Sequence, residues 1–362
     1  MVDWMQFGAD AEDVATRALQ GVKRVSGRLR PMVIRPYRGW VADGVAHVRA
    51  RVLEEPRFDA AAESLSLDST IYANLMRWVV LDLPNIEVRI TIGDESVTVL
   101  TDENGFVVAK IPVGDLPPGW HRVDYWAVAE GREVVAQGRV VVPDPAAQVA
   151  VISDIDDTIL TSGITEGLRS VQRTLLRDAH GRRPIPGMPS LYRGLARGQE
   201  GHPESTFFYV SKSPWNLYDV IVQFLAIRGF PRGPVLLRDW RPIVPLPGPD
   251  TESPGHKHAR IRRILDCYPE LRFLLIGDDG EADPSIFKDF LKSDPEQIEL
   301  ALVRSVRGAS TKNARDPSRL SGRPDKPVVG ADALQLARVA RRLGYIDDLT
   351  IDEVKTELGV RL

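Results

Sequence analysis

The sequence predicts an α/β protein in two parts: an antiparallel β-sandwich, followed by a parallel sheet with helices on both faces. Residues 31–145 alternate apolar and polar side chains, as half-buried antiparallel strands do. Beyond residue 146, short apolar runs alternate with helical patterns, which is typical of a parallel sheet. The chain has 362 residues, so each part can bury a core of its own.

The first 30 residues predict an N-terminal amphipathic helix. Apolar residues recur there at helical spacing, and basic residues gather late in the segment. We favour a helix that packs on its own protein, with a membrane-surface helix as the alternative, because the apolar face has no large aromatic anchor. The apolar residues are Val14, Ala18, Val22, Val25 and Leu29, and the basic ones are Lys23, Arg24, Arg28 and Arg30.

The segment 31–145 predicts a sandwich of immunoglobulin-like or transthyretin-like character, with glycine and proline turns between its strands. Residues 69–79 break the alternation and predict an inserted helix. No acidic or histidine cluster in this segment has catalytic spacing, so we expect a structural or docking role. The predicted strands are 44–55, 86–93, 95–101, 105–113, 121–130 and 132–142.

The second part predicts a domain over residues 146–315, joined to the sandwich by a short linker that contains prolines. Residues 316–362 are expected to add a loop and helices that pack on this domain, including a helix at 331–343. The predicted strands are 149–153, 206–210, 234–237, 271–276 and 298–303, and the other predicted helices are 165–178, 216–228, 256–267 and 284–292.

The most informative motif is the run of carboxylates in DIDDT, directly after an apolar strand. An extended chain points residues i and i+2 to the same side, so Asp154 and Asp156 can converge on one target. Two such carboxylates repel each other unless a cation or a shared proton lies between them. A divalent metal is therefore expected, although a lone motif of this kind is more often an acidic turn.

Later polar residues favour a metal site over an acidic turn, because each follows an apolar run or begins a helical pattern. Ser211 ends the strand pattern TFFYVS, Lys257 opens a helix, and Asp278 ends LRFLLIGD with Asp283 shortly after it. Open α/β sheets bind ligands at the carboxyl ends of their strands and the starts of their helices. These residues are therefore predicted to meet in one site.

In this order the motifs resemble those of the haloacid-dehalogenase-like phosphohydrolase superfamily. DIDDT, with Asp154, Asp156 and Thr158, matches the first motif, Ser211 the second, Lys257 the third and GDDGEAD the fourth. SKSPWNLY, LLRDW and GDDGEADPSIF further resemble the catalytic domain of the actin-patch-associated phosphatidate phosphatase family, from about residue 150 to 315. The resemblance implies a Rossmannoid sheet of the haloacid-dehalogenase type with a minimal cap.

The resemblance also implies the catalytic roles. Asp154 is then a nucleophile that forms an aspartyl-phosphate, and Asp156 is the general acid and base. Ser211 and Lys257 are expected to stabilise the phosphoryl oxygens.

The implied cofactor is Mg²⁺, which prefers oxygen ligands. Its ligands would be the Asp154 side chain, the Asp156 backbone carbonyl and Asp278, with Asp283 holding a metal-bound water or Lys257.

Two residues depart from the family pattern, Asp279 and Lys212, where smaller residues are common. Their extra charge is expected to affect metal preference or substrate selectivity.

The stretch 159–205 is too short for a large cap, and 212–255 reads mostly as helix, strand and a proline-rich loop. We therefore expect an open site, which favours a bulky or surface-bound substrate. The first stretch contains seven basic and four acidic residues. This excess of positive charge is compatible with binding to an anionic lipid surface or, equally, with a solvated helix face. The basic residues are Arg169, Arg173, Arg177, Arg182, Arg183, Arg193 and Arg197, and the acidic ones are Glu166, Asp178, Glu200 and Glu204.

The sequence thus predicts a Mg²⁺-dependent phosphomonoester hydrolase, with phosphatidate as the favoured substrate and diacylglycerol and phosphate as products. One alternative is a phosphatase of a soluble phosphomonoester or a phosphoprotein. Another is a non-catalytic adaptor that binds phosphorylated ligands or membranes, which is disfavoured because the nucleophile, acid and lysine are all retained.

Composition sets the remaining expectations. A net charge of −3 gives no reason to expect nucleic acid as a partner. The single cysteine, Cys267, excludes an internal disulfide, and no signal peptide or transmembrane segment is predicted. We therefore expect a cytoplasmic protein, with peripheral membrane association as an option, and the sequence predicts no oligomeric state.

Overall fold

The structure is a computed structural model that describes most of the chain. The predicted helices at 1–30, 69–79 and 165–178 lie outside the described residues. In the part that is described, a mixed sheet of seven strands precedes a parallel sheet of six strands with helices around it, so the predicted α/β class is confirmed. The described residues are 31–54, 82–129, 131–159, 184–200, 202–238, 255–306 and 322–360.

The mixed sheet has the strand order β4-β3-β6-β7-β1-β2-β5. All neighbours are antiparallel except β1 and β7, which are parallel and share only two register pairs. Two antiparallel groups, of four and three strands, therefore meet at one short junction, and the immunoglobulin-like or transthyretin-like sandwich stays a prediction. The strands are β1 Met32–Ala42, β2 Val45–Glu54, β3 Glu87–Ile92, β4 Glu95–Leu100, β5 Phe106–Pro112, β6 Gly119–Ala129 and β7 Arg132–Val142.

Alternation explains the core of this sheet. In β3 the residues Val88, Ile90 and Ile92 are buried, while Glu87 and Arg89 are exposed. Tyr125 of β6 joins the same apolar cluster. One face of β3 is thus removed from water, as the period of two in the sequence predicts.

The second sheet is parallel throughout and has the order β10-β9-β8-β11-β12-β13. Chain order reverses between β8 and β11, so a crevice is expected outside the carboxyl ends of these two strands. Every residue of β8 and β11 is buried, as in sheets covered on both faces. The strands are β8 Ala150–Asp154, β9 Phe207–Pro214, β10 Val235–Arg238, β11 Phe273–Asp278, β12 Ile298–Arg304 and β13 Val328–Gly330.

Helices cover both faces of the parallel sheet. One apolar cluster packs α1, α2, α5 and α6 on one face, and a second cluster packs α3 and α4 on the other. Among the described residues, no helix has both the length and the apolar character needed to span a bilayer. The helices are α1 Met188–Arg197, α2 Tyr218–Ile227, α3 Gly255–Cys267, α4 Asp283–Ser293, α5 Ala333–Arg342 and α6 Asp348–Glu357, and a single 3₁₀ turn, Trp215–Leu217, precedes α2.

The two sheets contact each other through an aromatic cluster directly after β9. The ring of Tyr37 lies 4.5 Å from the rings of both Trp215 and Tyr218, measured between centroids. Arg51 reinforces this contact, because it forms a buried ion pair with Asp82 at 2.7 Å and donates a hydrogen bond to Asn216 Oδ1 at 2.6 Å. The mixed sheet therefore supports the turn that follows Ser211.

Candidate active site

The first carboxylates of the site follow β8, the strand at the centre of the parallel sheet. Asp154 is the last residue of that strand, and Asp156 follows in the loop; both are buried. The Thr158 hydroxyl lies 3.1 Å from Asp154 Oδ2 and 3.2 Å from Asp278 Oδ2, within reach of either carboxylate. This hydroxyl orients the nucleophile candidate relative to the neighbouring strand.

The loop after β8 turns sharply at Asp157, whose φ of 53° lies in the left-handed region. Aspartate is one of the few residues other than glycine that adopt this conformation readily. Arg304, at the end of β12, donates a hydrogen bond from Nε to the Asp157 carbonyl at 2.9 Å. The turn is thereby fixed from the opposite side of the crevice.

β9 supplies two hydroxyl groups to Asp156. Ser211 Oγ donates to Asp156 Oδ2 at 2.7 Å, and Ser213 Oγ lies 3.4 Å from the same oxygen. The backbone amide of Ser213 donates to Ser211 Oγ at 2.9 Å, which orients that hydroxyl. The predicted acid is therefore held by the predicted phosphate-binding serine.

β11 and the start of α4 supply two further buried carboxylates, Asp278 and Asp283. Asp154 lies beside them. One carboxylate oxygen from each of these three residues lies within 4.8 Å of the other two. The Gly280 amide donates to Asp278 Oδ1 at 2.7 Å. Gly277 is required here, because a Cβ at this position would clash with the Asp283 carboxylate.

Lys257 enters this cluster from the first turn of α3. Its ammonium lies 2.8 Å from Asp154 Oδ1, forms an ion pair with Asp283, and lies 3.3 Å from Glu281 Oε2. Lys212 contacts the same Glu281 oxygen at 3.3 Å. The Lys257 side chain is only 3% exposed, whereas Lys212 and Glu281 are about 30% exposed, which places the second pair towards the solvent.

Burial governs the electrostatics of the carboxylates. It raises the pKa values of Asp154, Asp156 and Asp283, and burial together with the charge of Asp283 raises the pKa of Asp278 to about 7. Four buried carboxyl groups thus share one buried ammonium. This imbalance favours bound protons or a cation.

Burial alone would lower the pKa of Lys257. Asp154, Asp283 and Glu281 together outweigh it and raise that pKa well above its ordinary value, so the ammonium stays charged.

The structure brings together every residue that the sequence singled out as catalytic or metal-binding. They are Asp154, Asp156, Ser211, Lys257, Asp278 and Asp283, with Thr158 between them. Their chemical roles are not tested by this proximity.

Asp279 has a position that sequence reasoning did not foresee. Its carboxylate accepts hydrogen bonds from Ser305 Oγ at 2.8 Å and from the Val306 amide at 2.7 Å. These hydrogen bonds attach the Asp279 side chain to the loop after β12. Lys212, by contrast, contacts the site through Glu281.

Sequence reasoning also missed three contributors: Glu281, Ser213 and Arg304. Glu281 stands inside the GDDGEAD motif, but nothing in the sequence indicated that it would join two lysines. Ser213 follows Ser211 by two residues on a strand, so the period of two could have indicated it. No sequence signal connects Arg304 with the Asp157 carbonyl.

The arrangement offers a buried carboxylate that can attack, a second carboxyl group that can carry a proton, and a lysine and hydroxyls that can bind anionic oxygens. Fold and site together are consistent with the haloacid-dehalogenase-like class of α/β domains. Residues 149–305 match the model of the family described as phosphatidate phosphatase APP1, catalytic domain. The resemblance predicted from the motifs is confirmed.

Two fungal proteins are similar to part of this chain. The phosphatidate phosphatase APP1 of Saccharomyces cerevisiae is 31% identical over 156 residues, which cover 43% of this chain and 26% of the yeast protein. An uncharacterized protein of Schizosaccharomyces pombe is 26% identical over 159 residues, which cover 44% of this chain and 25% of that protein. The chain therefore spans about a quarter of the length of these relatives.

Solved structures are more distant. A carbohydrate acetylesterase from Xanthomonas citri matches 86% of this chain and 72% of its own, with 12% identity. The TM-score of that match is 0.26, too low to indicate a shared fold.

Proposed function

We propose that this protein hydrolyses phosphomonoesters through an aspartyl-phosphate on Asp154, and that its substrate is phosphatidate, from which it releases diacylglycerol and phosphate. The observation that carries the proposal is the convergence of Asp154 and Asp156, at and directly after the end of β8, with Lys257, from the start of α3, in one buried cluster. The match of residues 149–305 to a phosphatidate phosphatase catalytic-domain family supports the same conclusion.

In the first step, a carboxylate oxygen of Asp154 attacks phosphorus, and the bond from phosphorus to the alcohol oxygen breaks. Asp156 gives its proton to the departing oxygen. The raised pKa of Asp156, caused by burial, favours the protonated form that this step needs. Lys257 and Ser211 donate to the phosphoryl oxygens, a type of stabilisation worth about 3–4 kcal/mol per donor in other enzymes.

In the second step, Asp156 acts as a base. Its carboxylate takes a proton from a water molecule, whose oxygen attacks phosphorus and breaks the bond to Asp154. Phosphate leaves, Asp154 is again a carboxylate, and Asp156 again carries a proton. The hydroxyl of Ser211 has one proton, which it donates to Asp156 at 2.7 Å in the substrate-free site and would donate to the phosphoryl group once substrate is bound.

The site suits Mg²⁺. Its donors are carboxylate oxygens, which this ion prefers, and the oxygens of Asp154, Asp278 and Asp283 lie close enough to share a cation. Asp154 and Asp278 would hold it directly, with the Asp156 carbonyl as the resemblance implies, and Asp283 would hold a bound water or continue to hold Lys257. When bound, the ion would neutralise charge on the carboxylates and the phosphate.

The lipid substrate is supported by the activity in the name of the yeast relative and by the family match. Of the basic residues in the first predicted cap stretch, the structure describes Arg193 and Arg197, which contact Ser190 and Glu353 of the protein itself. Support from charge therefore depends on the other five arginines, which lie outside the described residues. We propose a cytoplasmic enzyme that acts on an anionic phospholipid at a membrane surface.

The test compares phosphatidate in vesicles with a panel of soluble phosphomonoesters, each with Mg²⁺. We expect phosphate release from the vesicles, with no release by Asp154→Asn. Hydrolysis of soluble sugar phosphates alone would remove the lipid substrate from the proposal. Hydrolysis of an aryl phosphate that EDTA abolishes would separate an enzyme from a non-catalytic adaptor.

A further inference from the structure

A second cavity lies between the two sheets and includes none of the site carboxylates. Its volume is about 150 Å³, and residues of β1, β2 and β5 line one side of it while β10 and α3 line the other. Trp40 is buried against it, whereas Lys110 and Arg263 are exposed at its rim. The cavity therefore has a closed inner part and an opening to solvent.

The charge of this cavity is entirely of one sign. No aspartate or glutamate is among its described lining residues. Such a surface raises the local concentration of anions and disfavours cations. The basic lining residues are Arg38, His47, Arg49, Lys110, Arg260 and Arg263.

Two buried polar atoms at the cavity have no hydrogen-bond partner among the described residues: Trp40 Nε1 and His47 Nδ1. Trp40 is only 8% exposed, and its indole nitrogen can only donate. Buried donors without a partner are rare in folded proteins. The Trp40 nitrogen has almost no accessible surface, so a ligand in the cavity would act on the indole through its charge rather than through a direct hydrogen bond.

The rings of Trp40 contact the His47 imidazole and the Arg263 guanidinium. The Trp40 and His47 rings stack with centroids 5.2 Å apart and an angle of 11° between their planes. The Arg263 guanidinium lies 5.4 Å from the centroid of a Trp40 ring. Burial, Arg263 and Lys110 lower the pKa of His47 to about 4, so the imidazole is neutral and the positive charge of the cavity comes from its arginines and Lys110.

We propose that this cavity binds a phosphate group, either free or as the headgroup of a lipid, through Lys110 and Arg263, beside the buried Trp40 ring. Several cations without a carboxylate favour a doubly charged anion over a monocarboxylate. A volume of about 150 Å³ holds about five waters, which is enough for phosphate and too little for acyl chains. The chains of a lipid would remain outside, near Val108, which is 55% exposed.

The test is a titration of the full chain in metal-free buffer, observed through the indole N–H resonances of ¹⁵N-tryptophan-labelled protein. Trp40→Phe assigns the Trp40 signal. One arm adds inorganic phosphate, and the other adds phosphatidylcholine vesicles with or without phosphatidate. Because no turnover is needed, the result does not depend on the proposed catalytic function.

We expect a saturable shift of the Trp40 signal that becomes at least tenfold weaker in apparent affinity in the double variant Lys110→Gln and Arg263→Gln. Saturation by inorganic phosphate identifies a free ligand, whereas a response only to phosphatidate vesicles identifies a lipid headgroup, and either supports the proposal. The double variant Lys288→Gln and Lys292→Gln, which removes two positive charges from exposed positions on α4, should leave the affinity unchanged. The proposal is overturned if neither arm shifts the signal, or if the double variant responds as the unaltered chain does.

Discussion

The Lys257 ammonium lies 2.8 Å from the Asp154 carboxylate, although α3 and β8 are separated by most of the parallel sheet domain in sequence. The strand order explains the meeting, because β8 occupies the centre of the sheet and the carboxyl ends of β9 and β11 flank it. In this position the lysine neutralises part of the buried acidic charge. Under the proposed function it would also present a cation to an incoming phosphate.

Lys257→Met should destabilise the metal-free protein by about 3–5 kcal/mol, because removing one partner leaves buried carboxylates without their counter-charge. Lys212→Met is the matched control, and its exposed contact with Glu281 should cost at most about 1 kcal/mol. Urea unfolding measures both free energies. Equal decreases in the free energy of unfolding of the two variants would show that the buried ammonium stabilises the protein no more than the exposed one does.

Asp156→Asn should lower steady-state hydrolysis of an aryl phosphate by about 10²–10⁴-fold, because amides neither donate nor accept the proton that both steps require. The loss should be larger for substrates with poor leaving groups than for those with good ones. Asp157→Asn is the control, since asparagine tolerates the left-handed backbone at that position. Ordinary turnover by Asp156→Asn would remove the assignment.

Thr158→Val keeps the shape of the side chain but removes the hydroxyl that lies between Asp154 and Asp278. A hydrogen bond to a charged group contributes about 1.5–3 kcal/mol, so kcat should fall by about tenfold or more. Thr158→Ser should restore most of the rate. A valine variant with unchanged kcat would show that the hydroxyl does not position the nucleophile.

The pKa of Asp278, raised to about 7 by burial and by Asp283, predicts the pH dependence of stability. Between about pH 4 and 7 the folded protein retains a proton that the unfolded chain has released, so the free energy of unfolding should decrease as pH rises. Thermal unfolding of metal-free protein should therefore show a lower Tm at pH 7.5 than at pH 5. Asp278→Asn should reduce that slope, and an unchanged slope would contradict the assignment.

The sequence predicted the site better than it predicted the details of the fold. Asp154, Asp156, Ser211 and Asp278 were found because each follows an apolar run, and the carboxyl ends of parallel strands meet at one edge of a sheet. The ends of β8 and β11 differ from the predicted strands by only one or two residues. Periodicity was sufficient for these elements.

Other elements were not predicted from the sequence, and each has an identifiable physical reason. β1 was missed because Pro36 and a shift in register between Tyr37 and Trp40 interrupt the alternation. α1 was missed because Met188 and Pro189 begin it after a turn at Gly187, without a side-chain cap. The contacts of Glu281 depend on α3 and β9 approaching each other, which no local pattern encodes.

The central claim is that Asp154 takes the phosphoryl group from the substrate. The most direct test is an acid quench of Asp156→Asn protein during reaction with an aryl phosphate and Mg²⁺, followed by mass spectrometry of its peptides. We predict one phosphoryl group on Asp154, and none in the double variant that also carries Asp154→Asn. A phosphoryl group on another residue, or release of the aryl alcohol by the double variant at an undiminished rate, would contradict the account.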